Sequence, residues 1–133
     1  MKHSTELMSM LYHQLGRVFF LVAYADREIQ KKESEVLRQK INEYWLDYDE
    51  TWDEFAGDTA FQIEFTFDYL VEKPKSENAI LTDFKEFVQE YDGLFTDKLK
   101  KLILDTAASI ANAYAGTSKA EQKVIDKIAG ILA

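Results

Sequence analysis

Residues 8–25, MSMLYHQLGRVFFLVAYA, decide the fold class of this chain. Their apolar residues recur in alternating steps of three and four, the spacing that places side chains on one face of a helix. That face consists of Met8, Leu11, Leu15, Val18, Val22 and Ala25. The stretch therefore predicts an amphipathic helix that begins after Ser4 or Thr5 and ends near Asp26.

The Ala-Tyr-Ala that closes this stretch recurs at residues 113–115. Each copy is followed by a short polar break and then by a glutamate that starts a new apolar run. We therefore predict two related helical hairpins, over residues 4–45 and 96–133, with residues 46–95 as a divergent insert between them.

Local signals at the two breaks support helix starts. Ser118-x-x-Glu121 is a capping box, in which each side chain bonds a backbone amide of the other residue. In the first hairpin, Glu33 fits the first turn of the second helix, where a carboxylate can accept from free backbone amides. The predicted structural motif consists of Ala25, Ile29, Glu33, Ala115, Ser118 and Glu121.

Composition is that of a mostly helical protein. The 133 residues, of which 47% are hydrophobic and one is proline, suffice for one domain with a sizeable core. The absence of cysteine excludes disulfides, thiolate zinc sites and cysteine nucleophiles, and it fits a reducing cytoplasm. The fold class we predict is all-α, a single domain of about seven helices.

The apolar run at Val18–Val22 resembles a secretory signal with a cleavage site. The run is short, and its Ala-Tyr-Ala recurs deep in the chain where no signal peptidase acts. No stretch reaches the ~18 apolar residues that a membrane span requires. We therefore expect a cytoplasmic protein without membrane insertion.

Charge is divided unevenly along the chain. The formal net charge is −8, but residues 43–92 carry fifteen acidic and three basic groups, a net −12, while the flanks carry +4. Thirteen of the eighteen aromatic residues also lie between Tyr44 and Phe95. A negative surface repels phosphate backbones, so we expect no nucleic-acid binding.

Residues 61–71 give an ambiguous signal. Apolar and polar residues alternate there, which is typical of a strand. No second segment offers a matching strand, however, and Asp58 and Lys73-Pro74 suit the start and stop of a helix. We predict a helix for residues 61–71, with strand addition across a dimer as the alternative. A further helix, capped by Asn78, is predicted after it.

The segment from Ala23 to Glu33 resembles the repeated signature of the TerB-like family, named after tellurite-resistance proteins. Its pattern is approximately Ala-x-Ala-Asp-Gly-x-Ile-x-x-x-Glu, and Arg27 stands at the glycine position. The matching residues are Ala25, Asp26, Ile29 and Glu33 in the first copy and Ala113, Ala115 and Glu121 in the second. The resemblance covers about half of the chain. It implies an all-α fold of seven helices, a stress-related role, and binding of metal ions or proteins through acidic surfaces.

Asp26 and Glu33 are the candidate metal ligands. With Ile29 they have the spacing of positions 5, 8 and 12 of an EF-hand calcium loop. Val22 and Tyr24 occupy the preceding ligand positions, so a complete calcium site is excluded. The alternative role is structural, with Glu33 at a helix start and Ile29 between helices. We predict no cofactor.

The densest acidic run is interleaved with aromatic residues. Its members are Trp45, Asp47, Tyr48, Asp49, Trp52 and Asp53. Trp52 stands where a calcium loop needs glycine, which argues against an EF-hand. Two interpretations stay open: a solvated helix face with aromatics in the core, or a docking site for a basic protein partner.

Enzyme signatures are missing from the sequence. It has no glycine-rich phosphate loop and no nucleophile elbow, and His3 and His13 lack the spacing of a helical zinc site. The leading hypothesis is a non-enzymatic cytoplasmic interaction module in a stress-related assembly, with a homodimer as one form of it. The alternatives are an acidic divalent-metal binder and an enzyme that uses carboxylates alone.

Overall fold

The computed structural model describes residues 2–55 and 57–133, and within these ranges every regular element is helical. The helices are α1 (Thr5–Ala23), α2 (Lys31–Lys40), α3 (Leu46–Trp52), α4 (Gln62–Glu72), α5 (Glu77–Glu90), α6 (Asp97–Ala111) and α7 (Lys119–Leu132). Short 3-10 turns cover Thr59–Phe61 and Asp92–Leu94. The all-α prediction is confirmed.

α2 and α3 are joined without a break by a π-helical segment, Ile41–Trp45, and together they form one long helix over residues 31–52. The amide of Leu46 donates to the carbonyl of Ile41, five residues back, which marks the widened turn. Counting the long helix as one leaves six continuous helices, close to the predicted number.

α1 is the central helix. It packs against α4, α5, α6 and α7, and every residue from Leu15 to Ala23 is buried. Gly16 allows α4 to cross closely, because a Cβ at that position would lie 2.6 Å from the carbonyl oxygen of Ile63. None of the helices in the described ranges combines the length and the apolar character needed to cross a membrane.

Trp45 lies at the centre of one continuous apolar core and is fully buried. Tyr12 and Phe19 of α1 pack against its indole, with ring centroids 6.4 and 6.2 Å away. The indole N–H donates to Thr106 Oγ1 of α6 at 3.1 Å. The π-helical segment that carries Trp45 is therefore held between α1 and α6.

Residues 61–71 are helical, as predicted, since α4 covers Gln62–Glu72. The two-residue alternation arises because aromatic residues occupy both sides of this helix. Phe67 is buried in the core, whereas Phe65 and Tyr69 are 59% and 55% exposed. Alternating apolar residues indicated a strand only because the outward face of α4 is also aromatic.

Several helix ends differ from the prediction. α1 ends at Ala23 rather than near Asp26. The cap of α5 is Ser76, whose Oγ accepts from the amide of Ala79, so Asn78 lies inside the first turn. Asp58 does not cap α4, because a 3-10 turn intervenes. These shifts are of the size expected where neighbouring residues are all good caps.

Candidate functional site

The acidic run is divided by the long helix into an outer and an inner set. Glu43, Asp47, Glu50 and Glu54 are exposed. The spacing of four and three keeps the first three on one side of the long helix, and Glu54 follows shortly after its last residue, Trp52. We call these four residues the acidic ridge. Asp49 and Asp53 have the opposite orientation and are fully buried.

This division corrects the predicted partner-binding set. Among those residues Trp45, Tyr48, Asp49 and Asp53 are buried, Trp52 is half-buried and Asp47 is exposed. The helical period explains the result, since residues three and four apart from Trp45 face the core with it. A partner approaching this structure meets Asp47 but not Trp45, Asp49 or Asp53, and it reaches Tyr48 only through the groove that Tyr48 lines.

A groove of about 280 Å³ lies beside the ridge, between the long helix and α6. Its walls are lined by Tyr44, Asp47, Tyr48, Lys98, Lys101 and Leu102, among others. Lys101 is paired with Asp105 at 2.7 Å on the same helix. The groove thus has Asp47 on the rim of the long helix, a rim of Lys98 and the Lys101–Asp105 pair on α6, and an apolar interior.

Two exposed aromatic side chains border the acidic ridge. Tyr44 is 48% exposed with the ammonium of Lys40 5.3 Å from its ring centroid, and Phe55 is 72% exposed. Tyr44 follows Glu43 and lines the groove, while Phe55 follows Glu54. The ridge therefore combines carboxylates with apolar surface at both of its ends.

Behind the ridge, Asp49 and Asp53 form a buried carboxyl pair one helical turn apart. Tyr12 OH donates to Asp49 Oδ1 at 2.9 Å. Asp53 Oδ1 accepts from Thr5 Oγ1 and from the amide of Phe55 at 3.0 Å. Among the described residues, the second oxygen of each carboxyl, Oδ2, has no hydrogen-bond donor.

The two carboxyl groups differ in acidity. Burial raises the pKa of Asp49 to about 6. The neighbouring Asp53 also raises this pKa, whereas the hydrogen bond from Tyr12 lowers it. Burial also acts to raise the pKa of Asp53, but hydrogen bonds from Thr5, Phe55 and other groups outweigh it and lower that pKa below its usual value. Of the two carboxyls, that of Asp49 therefore takes up a proton first as the pH falls.

The N-terminal residues His3 to Thr5 close over this pair, and we call them the N-terminal clasp. The amide of His3 donates to the carbonyl of Trp52 at 2.7 Å, and its carbonyl accepts from the amide of Glu54 at 2.7 Å. The imidazole stacks on the Trp52 indole, with ring centroids 5.7 Å apart. The clasp thus joins the start of α1 to the end of α3.

The residues of the predicted motif meet at a second place, where the turn after α1 contacts the turn after α6. Ser118 Oγ donates to Asp26 Oδ1 at 3.1 Å, joining residues that are 92 apart in the chain. Glu33 accepts from the amide of Gln30 at 2.7 Å, and Glu121 accepts from the amide of Ser118 at 2.7 Å. Both glutamates thus have the predicted helix-start role.

Buried carboxyl groups also lie close together at this junction. Burial raises the pKa of Glu33 to about 7; the carboxyls of Glu121 and Asp26 act in the same direction, and the bond from the Gln30 amide opposes them. Ile29 and Ala25 are half-buried and pack against the core.

The second turn holds an alanine in the left-handed region of the backbone. Ala115 is exposed and has a φ of 56°, and Gly116 has a φ of 82°. The left-handed region is unfavourable for most residues other than glycine. Ala115 is therefore an exposed turn residue in a conformation that glycine adopts more readily.

No set of three or more His, Asp or Glu side chains in residues 2–55 and 57–133 is arranged to hold a metal ion. Asp26 and Glu33 lie near one another, but one oxygen of Glu33 is bonded to a backbone amide. His13 contacts Thr66, at 3.2 Å, and His3 stacks on Trp52, so the two histidines lie apart.

Comparisons of the chain with protein-family models, with curated proteins and with solved structures found no match in any of the three sets. The resemblance to the TerB-like family stays a prediction from the motif.

Proposed function

We propose that this protein is a non-enzymatic interaction module that binds a basic segment of a partner protein along the acidic ridge. The observation that carries the proposal is the state of the ridge carboxylates. In the part of the chain that the structure describes, no lysine or arginine forms a salt bridge with Asp47, Glu50 or Glu54. These three charges are available to a partner.

Charge complementarity favours a basic partner. Residues 43–92, which include the ridge, carry a net −12, and the whole chain carries −8. A field of this sign speeds the encounter with lysine- and arginine-rich segments and disfavours acidic ones, more strongly at low salt. Desolvated contacts are still needed for affinity, because pairs at a wet rim contribute little.

The groove beside the ridge supplies such contacts. Tyr48 and Leu102 form apolar walls, and Tyr44 is half-exposed at the rim. We propose that an apolar side chain of the bound segment enters this groove while its basic residues lie along the ridge. Aromatic residues at such positions typically dominate binding energy. The resemblance to the TerB-like family adds a cytoplasmic, stress-related assembly as the proposed setting.

Binding of a synthetic peptide tests the proposal. The probe is a lysine- and arginine-rich peptide with one leucine, titrated into the labelled protein by NMR and calorimetry. The ridge variant is Asp47→Lys with Glu50→Lys. The matched control makes the same charge change on α5, with Glu86→Lys and Glu90→Lys, where both residues are also exposed.

We expect the ridge substitutions to lower the affinity for the peptide at least about tenfold and the control substitutions to lower it only slightly. Charges close to the bound peptide contribute most, because salt screens the more distant ones. Amide shifts should map to Tyr44, Asp47 and Leu102. Equal weakening by both variants would mean that only net charge attracts the peptide, and the docking site would be wrong. The ridge variant then serves as the negative bait when partners are captured from cells.

A divalent-metal function has less support. The carboxyls of Glu33 and Glu121 approach one another near Asp26, which would favour a cation. However, three such groups do not converge on a metal position within the described ranges. A thermal-shift screen with calcium, zinc and manganese separates the two functions, since a metal binder is stabilised by its ion.

A further inference from the structure

The two unbonded oxygens of Asp49 and Asp53 require an explanation. Both side chains are fully buried, and each Oδ2 lacks a donor of hydrogen-bond geometry in the described part of the chain. The nearest further donors are the amide of Gly57, which faces Asp49, and the hydroxyl of Thr59, which faces Asp53. Two ionised carboxylates placed side by side in the interior would repel each other and leave both oxygens unsatisfied. No lysine or arginine is paired with either of them in those residues.

We propose that Asp49 and Asp53 share one proton between their Oδ2 atoms, and that this proton is a latch that holds the N-terminal clasp closed. The protonated Oδ2 of Asp49 donates to Oδ2 of Asp53, and this single hydrogen bond satisfies both oxygens. On opening at higher pH the proton leaves to solvent and both groups ionise. The raised pKa of Asp49 and the lowered pKa of Asp53 agree with this assignment.

The tyrosine and threonine side chains around the pair keep their protons over the pH range in which the shared proton titrates. Tyr12 of α1 faces Asp49, and burial raises the pKa of Tyr12, so its hydroxyl keeps its proton and donates. Burial raises the pKa of Tyr48, on the same helix, in the same way. Thr5 and Thr59 contribute neutral hydroxyls. The imidazole of His3 is stacked on Trp52 and is the remaining titratable group of the clasp.

The clasp is the part that opens when the proton leaves. Asp49 lies within α3, whereas Asp53 lies beyond its last residue with an extended backbone. Thr5 bonds the Asp53 side chain, and His3 bonds the backbone on both sides of it. Repulsion between two ionised carboxylates is relieved by moving Asp53 away, and this movement breaks the contacts of His3 and Thr5.

Titration of the unmodified protein gives the first test. The carboxyl ¹³C shifts of Asp49 and Asp53 are followed by NMR from pH 3 to pH 8. We expect two separate steps, one below the usual aspartate value of about 4 and one near 6. Two ordinary steps near pH 4 would overturn the shared proton.

Hydrogen exchange at the amides of His3 and Glu54 gives the second test, expressed as protection relative to the intrinsic exchange rate at each pH. Proton release shifts the closed-to-open ratio up to about tenfold per pH unit between the open and closed pKa values. We therefore expect protection to fall at least about tenfold from pH 4.5 to pH 7. Unchanged protection over this range would show that no latch exists.

Asp49→Asn places an amide N–H₂ where the shared proton lies, so it keeps the donor at every pH. We expect the clasp amides of this variant to be protected equally at pH 4.5 and 7. Asp47→Asn is the control, since Asp47 is exposed two residues away, and it should behave as the parent chain does. A parent-like pH profile in Asp49→Asn would overturn the proposal. If that variant does not fold, the titration of the parent chain decides alone.

Discussion

The indole N–H of Trp45 donates to Thr106 Oγ1 at 3.1 Å, across 61 residues of sequence. Thr106 in turn donates to the carbonyl of Leu102 at 2.8 Å within α6. Both polar groups are thereby satisfied in the interior, where an unmade hydrogen bond costs about 1–3 kcal/mol. This contact sets the position of the π-helical segment, and with it the orientation of the ridge that follows.

Trp45→Phe should destabilise the fold strongly. The change removes the bond to Thr106 and leaves a cavity in the core, so we expect a loss of about 2–4 kcal/mol in the free energy of unfolding. Trp52→Phe is the matched comparison, because Trp52 is half-buried and its Nε1 has no hydrogen-bond partner in the described residues. Its loss should be about 1 kcal/mol or less, since no bond is broken. Urea denaturation measures both, and equal losses would contradict the role of the Thr106 bond.

Gly16→Ala should also be costly. The new Cβ would lie 2.6 Å from the carbonyl oxygen of Ile63 and 2.7 Å from Thr66 Cβ, so α1 and α4 must separate. We expect a loss of about 1–3 kcal/mol, as for other overpacked cores. Gly130→Ala serves as the control, because nothing lies within 4 Å of its Cβ and alanine favours the helix by up to about 1 kcal/mol. Thermal unfolding should shift in opposite directions for the two variants.

The sequence predicted the helical class and the helix starts at Glu33 and Glu121 because both depend on local signals. The period of residues 8–25, the capping box of Ser118 and Glu121, and the first-turn position of Glu33 each act within a few residues. The structure shows both glutamates bonded to helix-start amides. Their mutual approach could not be predicted, since it depends on how the two turns pack.

The burial of part of the acidic run was predicted less well, for a reason that is visible in the sequence. Asp49 and Asp53 are spaced by four and lie at helical intervals from Trp45, so they share its inward face. A count of charges does not distinguish these buried carboxyls from the exposed carboxyls of Asp47 and Glu50. Acidic residues are rarely buried, so composition favoured the surface. The two carboxyls are buried here because Tyr12 bonds Asp49 and Thr5 bonds Asp53. These partners lie 37 and 48 residues away from them along the chain.

Stability should fall as the pH rises toward neutrality. The pKa of Glu33 is raised from 4.5 to about 7 in the folded chain, so the stabilising proton is fully bound below pH 4.5 and is lost as the pH rises through 7. Asp49 acts in the same direction up to about pH 6. We expect the melting temperature to decrease by several degrees between pH 5 and pH 8.

Glu33→Gln should reduce this decrease. The glutamine oxygen can still accept from the amide of Gln30, and its N–H₂ can donate to Glu121 without titrating. The stability difference between pH 5 and pH 8 should shrink by about 2 kcal/mol. Glu35→Gln, an exposed neighbour 3.9 Å from Lys31, should leave the pH profile unchanged. A profile for Glu33→Gln that matches the parent chain would show that another group is responsible.

Ser118→Ala should weaken the contact between the two turns as well as the cap of α7. Ser118 Oγ accepts from the amide of Glu121 at 3.1 Å and donates to Asp26. We expect a loss of about 1–2 kcal/mol. Ser76→Ala removes a cap that bonds only the amide of Ala79 in the described structure, so its loss should be nearer 1 kcal/mol. A double-mutant cycle of Ser118→Ala with Asp26→Ala isolates the contact between the turns, and a coupling energy of zero would show that Ser118 acts as a cap alone.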